Sequence, residues 1–140
     1  MNMIYKKSWK YILIRDDSYW CNCYCNIYHI KAVKDFSDIS FGDIGGYLEG
    51  YYNLSQTGNC WVYDNVLVRD YARVSENATM SNYARAYDNA HIYGNAKVAG
   101  SSIVISGDTQ VYNDIIYTDL DWFIKNLGSI FWLKIIIYLE

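Results

Sequence analysis

This chain of 140 residues has no large excess of either charge, and it has few histidines. Its 12 lysines and arginines against 15 aspartates and glutamates give a formal net charge of −3. Such mild acidity argues against a surface that binds the phosphates of a nucleic acid. The only histidines are His29 and His91, and two imidazoles argue against a zinc site built from three histidines. Proline is absent, whereas 16 Tyr and 5 Trp accompany many turn-forming residues, which favours strands over helices.

Signals for export are also missing. The lysines within residues 6–10 precede an apolar stretch, residues 11–14, that is too short for the core of a secretory signal. We therefore expect a protein of the cytoplasm whose cysteines stay reduced. Three of the four cysteines alternate along residues 21–25 and share one face of a predicted strand. Because zinc sites usually place two residues between paired cysteines, we predict a buried strand face here, with no metal and no cofactor.

The C-terminal tail is strongly apolar from Trp122 to Leu139. A membrane span needs about 20 predominantly apolar residues, and this stretch is interrupted by Lys125, Lys134 and a turn-like segment at 126–129. We predict a strand or hairpin that caps the fold and no membrane span. An amphipathic helix and a self-association surface are the alternatives.

A period of six residues is the strongest pattern in the sequence. From residue 60 onward an apolar residue returns every six positions, and a second, mostly small residue lies two positions before each member. Residues two apart point to the same side of a strand, so both series should face the interior. The first series is Val62, Val68, Val74, Met80, Ala86, Ile92, Val98, Val104 and, after one extra residue, Val111; the second is Cys60, Val66, Ala72, Ala78, Ala84, Ala90, Ala96, Ser102 and Thr109.

This pattern resembles the hexapeptide-repeat proteins, in which an aliphatic residue is followed four positions later by a small one, as Val68 is by Ala72. The resemblance implies an all-β fold, a left-handed parallel β-helix with an N-terminal β cap and a short hydrophobic C-terminal cap. If three hexads make one triangular turn, residues 18 apart stack. Val62 should then lie on Met80 and Val98, and Val68 on Ala86 and Val104. We divide the chain into a cap (1–43), the solenoid (44–114) and a C-terminal cap or oligomerisation element (115–140).

Two strings before the regular repeats carry a further resemblance. Residues 42–49 read GDIGGYLE and residues 53–62 read NLSQTGNCWV. They are similar to hexapeptide-repeat proteins of bacteriophages, prophages and Gram-positive bacteria, which are usually labelled transferases or polymer-forming proteins. The resemblance implies the fold and a phage context, and a fold alone establishes no reaction.

Acyltransferases of the hexapeptide-repeat class use a histidine as general base, usually with an inserted loop that shapes the acceptor pocket. His91 lies one residue before Ile92 and should point outward, but no long loop is evident near it. We therefore predict an ordinary exposed histidine and no catalytic residue. Outward aromatic and arginine side chains predict a binding surface instead, because Tyr and Trp are enriched at binding hot spots, although a tyrosine ladder can equally stabilise a solenoid. This predicted surface comprises Trp61, Tyr63, Arg69, Tyr71, Arg73, Tyr83, Arg85, Tyr87 and Tyr93.

These features lead to one main hypothesis and three alternatives. The main hypothesis is a non-catalytic, phage-derived binding protein that inhibits a host defence protein, as an anti-CRISPR protein does, in the cytoplasm of the host cell. It is expected to form a homo-oligomer and to bind neither nucleic acid nor membrane directly. The alternatives are an acyltransferase with His91 at a subunit interface, an oligomer that sequesters a nucleotide signal, and a structural element that self-assembles through its tail.

Overall fold

The computed structural model describes residues 8–15 and 26–117. The predictions for the cysteines of residues 21–25 and for residues 118–140 lie outside the described residues. Within them the fold is all-β, with one 3-10 turn at Tyr51–Asn53 and no α-helix. The strands are β1 (Tyr11–Arg15), β2 (Tyr28–Ala32), β3 (Ile44–Leu48), β4 (Trp61–Val62), β5 (Leu67–Val68), β6 (Arg73–Val74), β7 (Thr79–Asn82), β8 (Arg85–Ala86), β9 (His91–Tyr93), β10 (Lys97–Gly100), β11 (Val104–Ile105), β12 (Gln110–Tyr112) and β13 (Ile115–Tyr117).

Three sheets form the sides of a β-solenoid. The first face consists of β3, β5, β8 and β11; the second of β6, β9 and β12; and the third of β4, β7, β10 and β13. All strand pairs within these faces are parallel, and Leu54 bridges Val74 to begin the second face. The chain therefore completes four coils. Residues 44–62 form a first, less regular coil ahead of the regular repeats. The left-handed sense of the coil stays a prediction.

Inward side chains stack at intervals of one coil. On the third face Val62 pairs with Met80 and Met80 with Val98, which confirms the predicted stack, and Ile116 continues it. These four side chains are at most 1% exposed. Each buried side chain of this size contributes about 1.5–3 kcal/mol relative to an exposed one. The tube is thus stabilised by columns of apolar contact along its axis.

The predicted stack on the first face is wrong in its last member. Ala86 pairs with Ile105 rather than with Val104; Val104 is 50% exposed, and Ile105 is 2% exposed. The extra residue therefore lies before Val104, not after it. A slip of one residue exchanges the two sides of a strand, and the observed register buries Ile103 and Ile105 where the predicted one would have buried Ser102 and Val104. More apolar surface is removed from water in this way.

Backbone corners separate the short strands, and most contain a residue with positive φ two positions after the inward aliphatic residue. The non-glycine examples in the repeats are Asp64, Asp70, Glu76, Asn82, Asp88 and Asn113, and Gly94 and Gly107 occupy equivalent corners. Acidic residues at these corners also accept hydrogen bonds from backbone N–H groups of the next coil. The carboxylate of Asp70 accepts the Asp88 backbone N–H at 3.1 Å, and that of Glu76 accepts the Gly94 N–H at 2.7 Å. Corner N–H groups that lie outside the sheet ladders thereby gain partners.

The N-terminal strands close one end of the tube. β1 pairs antiparallel with β2, and β2 antiparallel with β3, so this hairpin extends the first face. Lys10 is 1% exposed, and its Nζ donates hydrogen bonds to the Cys60 oxygen at 2.6 Å and the Gly58 oxygen at 3.3 Å. Burial lowers the pKa of Lys10. The rings of Tyr11 and Phe36 pack edge-on against Trp61. Together with Lys10 they cover the open end of the solenoid.

At the other end, residues 115–117 follow directly after the predicted solenoid range and form β13, which pairs parallel with β10. These residues make the last level of the third face. No helix in the described part of the chain is long and apolar enough to cross a membrane.

Candidate active site on the second face

The outer side of the second face carries three polar side chains that lie at neighbouring positions. Arg73, His91 and Gln110 occupy paired positions on β6, β9 and β12 and form one column along the axis. Side chains alternate along a strand, so Ser75, Tyr93 and Tyr112 form a second outward column beside the first. His91 is half-buried and points outward, as its position before the inward Ile92 predicts.

Three neighbours hold the His91 ring. Its Nε2 lies 2.9 Å from the Ser75 hydroxyl oxygen. Tyr93 stacks on it with ring centroids 4.3 Å apart and planes inclined by 15°. The Gln110 side chain also makes a hydrogen bond with the ring. A histidine held by hydrogen bonds and by a stacked ring has a defined orientation, which general acid–base chemistry requires.

The electrostatic environment of His91 favours the neutral imidazole. Partial burial, first, and the positive charge of Arg73, second, lower the pKa of His91, while Glu76 and the hydrogen bond to Gln110 act in the opposite direction. Together these effects place the pKa of His91 below the ordinary value for histidine. The lowered pKa favours the neutral imidazole, which can accept a proton.

A groove of about 1080 Å³ runs along the corner between the first and second faces. Its wall meets this column at Tyr52, which contacts Arg73, whereas His91, Ser75 and Gln110 do not line it. The backbone carbonyl oxygen of Tyr52 accepts a hydrogen bond from Arg73 Nη1 at 2.8 Å. The sequence has no long inserted loop, yet the corner and the 3-10 turn together provide a cavity. Its lining includes Glu49, Tyr52, Asp70, Tyr71, Asp88 and Asp108.

The predicted binding residues do not converge on one patch. Arg69, Arg85 and Tyr87 lie on the first face, where the Arg69 guanidinium is 4.1 Å from the Tyr87 ring centre and Arg85 Nη1 donates to the Tyr87 hydroxyl at 3.3 Å. Arg73 and Tyr93 lie on the second face. That these residues bind a partner stays a prediction. They lie on separate faces and therefore do not form one surface.

The remaining four predicted residues lie at corners or on the third face. Tyr71 and Tyr83 are corner residues, 73% and 56% exposed. Tyr63 donates a hydrogen bond to Asp38 at 2.8 Å; partial burial, and then this bond, raise the pKa of its hydroxyl. Trp61 is 1% exposed, so its predicted place among surface aromatics is wrong. Its indole is large enough to fill the end of the tube beneath the N-terminal cap, where burial is most favourable.

The other titratable candidates have local structural contacts. His29 on β2 faces the Gly45 oxygen through Nδ1 at 3.1 Å, and its ring centre is 4.1 Å from that of Tyr47. Cys60 is a free, buried thiol. Among the residues that the structure describes, no group of three or more His, Cys, Asp or Glu side chains is arranged to hold a metal ion.

Ser75 and Gln110 are site residues that sequence reasoning missed. Both lie outside the inward series, so the period of six does not mark them. Aligning the outward positions of successive coils would have found them, since Arg73 and His91 are one 18-residue coil apart and Gln110 follows after the extra residue. The outward columns thus carry the signal, which becomes visible only when successive coils are aligned in the correct register.

Comparison with known proteins gives a short, partial similarity. No protein-family model matches the chain. A segment of 35 residues is 46% identical to a protein of Escherichia coli (strain K12) named uncharacterized acetyltransferase YdcK. The matched segment covers 25% of this chain and 11% of that protein. The β-solenoid and this similarity together fit a hexapeptide-repeat family.

The prediction that the chain is not an enzyme is contradicted by this comparison. The similar protein is named as an acetyltransferase. That His91 is an ordinary histidine was expected because no inserted loop lies near it in sequence, and this stays a prediction. The groove shows that a cavity in a solenoid can be built from corners of adjacent coils, which are far apart in the chain.

Proposed function

We propose that the chain is an acyltransferase of the hexapeptide-repeat kind, with His91 as its general base. The observation that carries this proposal is the His91 imidazole, which lies outward on the second face and is held by Ser75, Tyr93 and Gln110. The similarity to a protein named as an acetyltransferase supports acetyl as the transferred group.

The chemistry follows from the position of the ring. An acceptor hydroxyl or amine that takes the place of Ser75 beside Nε2 gives its proton to His91 as it attacks the carbonyl carbon of an acetyl thioester. The carbon–sulfur bond then breaks, and the thiolate leaves with the proton that His91 returns. General base catalysis of this kind contributes about 10²–10⁴-fold. We place the polar acceptor in the corner groove, whose wall includes Tyr52, a contact of Arg73.

Several biological expectations accompany the proposal. Solenoids of this class are often trimers, so the protein is expected to be a homo-oligomer in which a neighbouring subunit completes the site. The phage context implied by the resemblance, a host protein as partner, and the cytoplasmic location each stay predictions.

Release of free thiol from acetyl-CoA in the presence of a panel of amines and alcohols tests the proposal. His91→Ala is expected to lower turnover about 10²–10⁴-fold because the base is lost. His29→Asn, which alters the other histidine of the chain, is expected to leave turnover unchanged. Absence of acetyl-CoA binding by the wild-type protein, or equal turnover by His91→Ala and wild type, would contradict the proposal.

A further inference from the structure

We propose that Ser75 is itself a nucleophile, which His91 activates, so that the second face forms a covalent acyl-serine intermediate. The inference rests on the proposed function in using the same imidazole and an acyl donor. It adds a reaction path in two halves and extends the donors to simple activated esters.

The geometry matches the arrangement of an activated nucleophile. Such sites place a hydroxyl within hydrogen-bond reach of a base that a third group orients. Ser75 Oγ lies 2.9 Å from His91 Nε2, and the Gln110 side chain makes the further hydrogen bond to the ring. Ser75 directly follows β6, His91 is in β9 and Gln110 is in β12, so three successive coils contribute one member each. Ser75 and His91 are each half-buried, which leaves room for a small acyl donor.

Gln110 fits the role of the orienting group. Its side chain makes a hydrogen bond with the His91 ring from the position on β12 that pairs with His91. An amide oxygen orients the base in this way in Cys–His–Asn sites. In the proposed site the other ring nitrogen donates to the Gln110 amide oxygen, so that Nε2 accepts the proton of Ser75.

Arg73 is placed to stabilise the oxyanion that forms when Ser75 attacks a carbonyl. It lies two residues before Ser75 on the same outward side and pairs with His91 across the sheet. One of its N–H groups donates to the backbone carbonyl oxygen of Tyr52. Because a guanidinium has five N–H groups, others remain to bind the oxyanion. Hydrogen-bond donors aimed at developing negative charge are commonly the largest contribution to acyl transfer.

The two halves of the reaction balance. Ser75 loses its proton to His91 as Oγ bonds to the carbonyl carbon of an ester or thioester; the bond from that carbon to the leaving oxygen or sulfur breaks, and the leaving group takes the proton from His91. An amine, an alcohol or water then gives its proton to His91 and attacks the acyl-serine. Its carbon–oxygen bond to Ser75 breaks, and Oγ regains the proton.

The chain contains a matched control for Ser75. Ser81 holds the same place in its hexad, one residue after the inward Met80, and is also half-buried. It lies on the third face, where the outward residues at the paired positions of the neighbouring column are Thr79, Lys97 and Ile115. No imidazole is among those three residues, so Ser81 has no such base beside it.

The experiment treats the full chain with p-nitrophenyl acetate or a fluorophosphonate and locates the adduct by peptide mass spectrometry. We expect Ser75 to carry the adduct in the wild-type protein, and Ser75→Ala to abolish the labelling while Ser81→Ala leaves it unchanged. His91→Gln should slow the labelling at least about 100-fold. Mapping on the wild-type protein needs no variant, so the result does not depend on whether a variant folds.

The outcomes separate this inference from the proposed function. Labelling of Ser75 that depends on His91, without any turnover of acetyl-CoA, would support the nucleophile and contradict the acetyl-CoA reaction. Turnover of acetyl-CoA that is unchanged in Ser75→Ala, with no adduct on Ser75, would overturn the nucleophile and leave direct transfer to the acceptor. Labelling of Ser81 at the rate of Ser75 would also overturn it, because the reagent would then be reacting without the base.

Discussion

The second and third faces of the tube are built by the same repeat, yet their outer sides differ in kind. Inward, both carry stacked apolar residues, such as Ile92 on the second face and Met80 on the third. Outward, the second face presents a guanidinium, an imidazole and an amide in one column, whereas the third presents Thr79, Lys97 and Ile115. The period of six therefore determines the interior, and the outward positions are free to carry chemistry.

The largest effect expected from this comparison is on the inward side. Met80→Ala should lower the free energy of unfolding by about 2–5 kcal/mol, because it leaves a cavity within a column of buried side chains. Thr79→Ala, the neighbouring outward position, should change it by about 0.5 kcal/mol or less. Urea unfolding of the two variants measures the difference. Equal losses would show that the two sides of the strand do not divide structure from surface as we describe.

A smaller effect is expected at the corners. Gly94 and Gly107 both have positive φ, but a Cβ at Gly94 would collide with the Asn113 side chain and the Tyr112 ring, whereas a Cβ at Gly107 would meet nothing within 4 Å. Gly107→Ala should therefore cost only about 1–2 kcal/mol for the left-handed backbone, and Gly94→Ala more. Thermal unfolding of both variants distinguishes the two costs. A Gly107→Ala variant as unstable as Gly94→Ala would mean that backbone conformation alone accounts for both.

The smallest effect concerns the pH dependence of acyl transfer on the second face. Because Arg73 lowers and Glu76 raises the pKa of His91, Arg73→Gln should raise that pKa and Glu76→Gln should lower it. Neutral His91 is the active base, so activity falls as pH drops through its pKa. The acidic limb of the rate profile should therefore move to higher pH in Arg73→Gln and to lower pH in Glu76→Gln, each by less than about one pH unit at this half-exposed site. Shifts in the same direction would contradict the assignment of the limb to His91.

The sequence predicted most of the fold because the fold depends on positions that repeat. The Val62, Met80 and Val98 stack follows from spacing alone. Spacing failed where the chain departs from it. Val104 and Ile105 are both apolar, so the sequence gives two registers of similar appearance, and only the larger burial of Ile103 and Ile105 decides between them.

The site was predictable only in part. His91 could be placed outward from its position before Ile92, but its three contacts come from other coils or from the opposite end of its own strand. Ser75 has no feature in the sequence that distinguishes it from Ser81. What separates the two serines is the residue one coil away, and this becomes visible only when the coils are laid on each other in the correct register.

The extra residue between Gly100 and Val104 shows how such a tube accommodates a change in length. Its excess length is taken up where the chain bends, and the apolar columns resume on both sides of it. A corner is thus a place where a longer segment can be grafted without disturbing the stacked interior. Gly107 lies at such a bend, lines the groove and has open space around it. A longer turn at Gly107 would therefore enlarge the wall of the groove while the stacked interior stays unchanged.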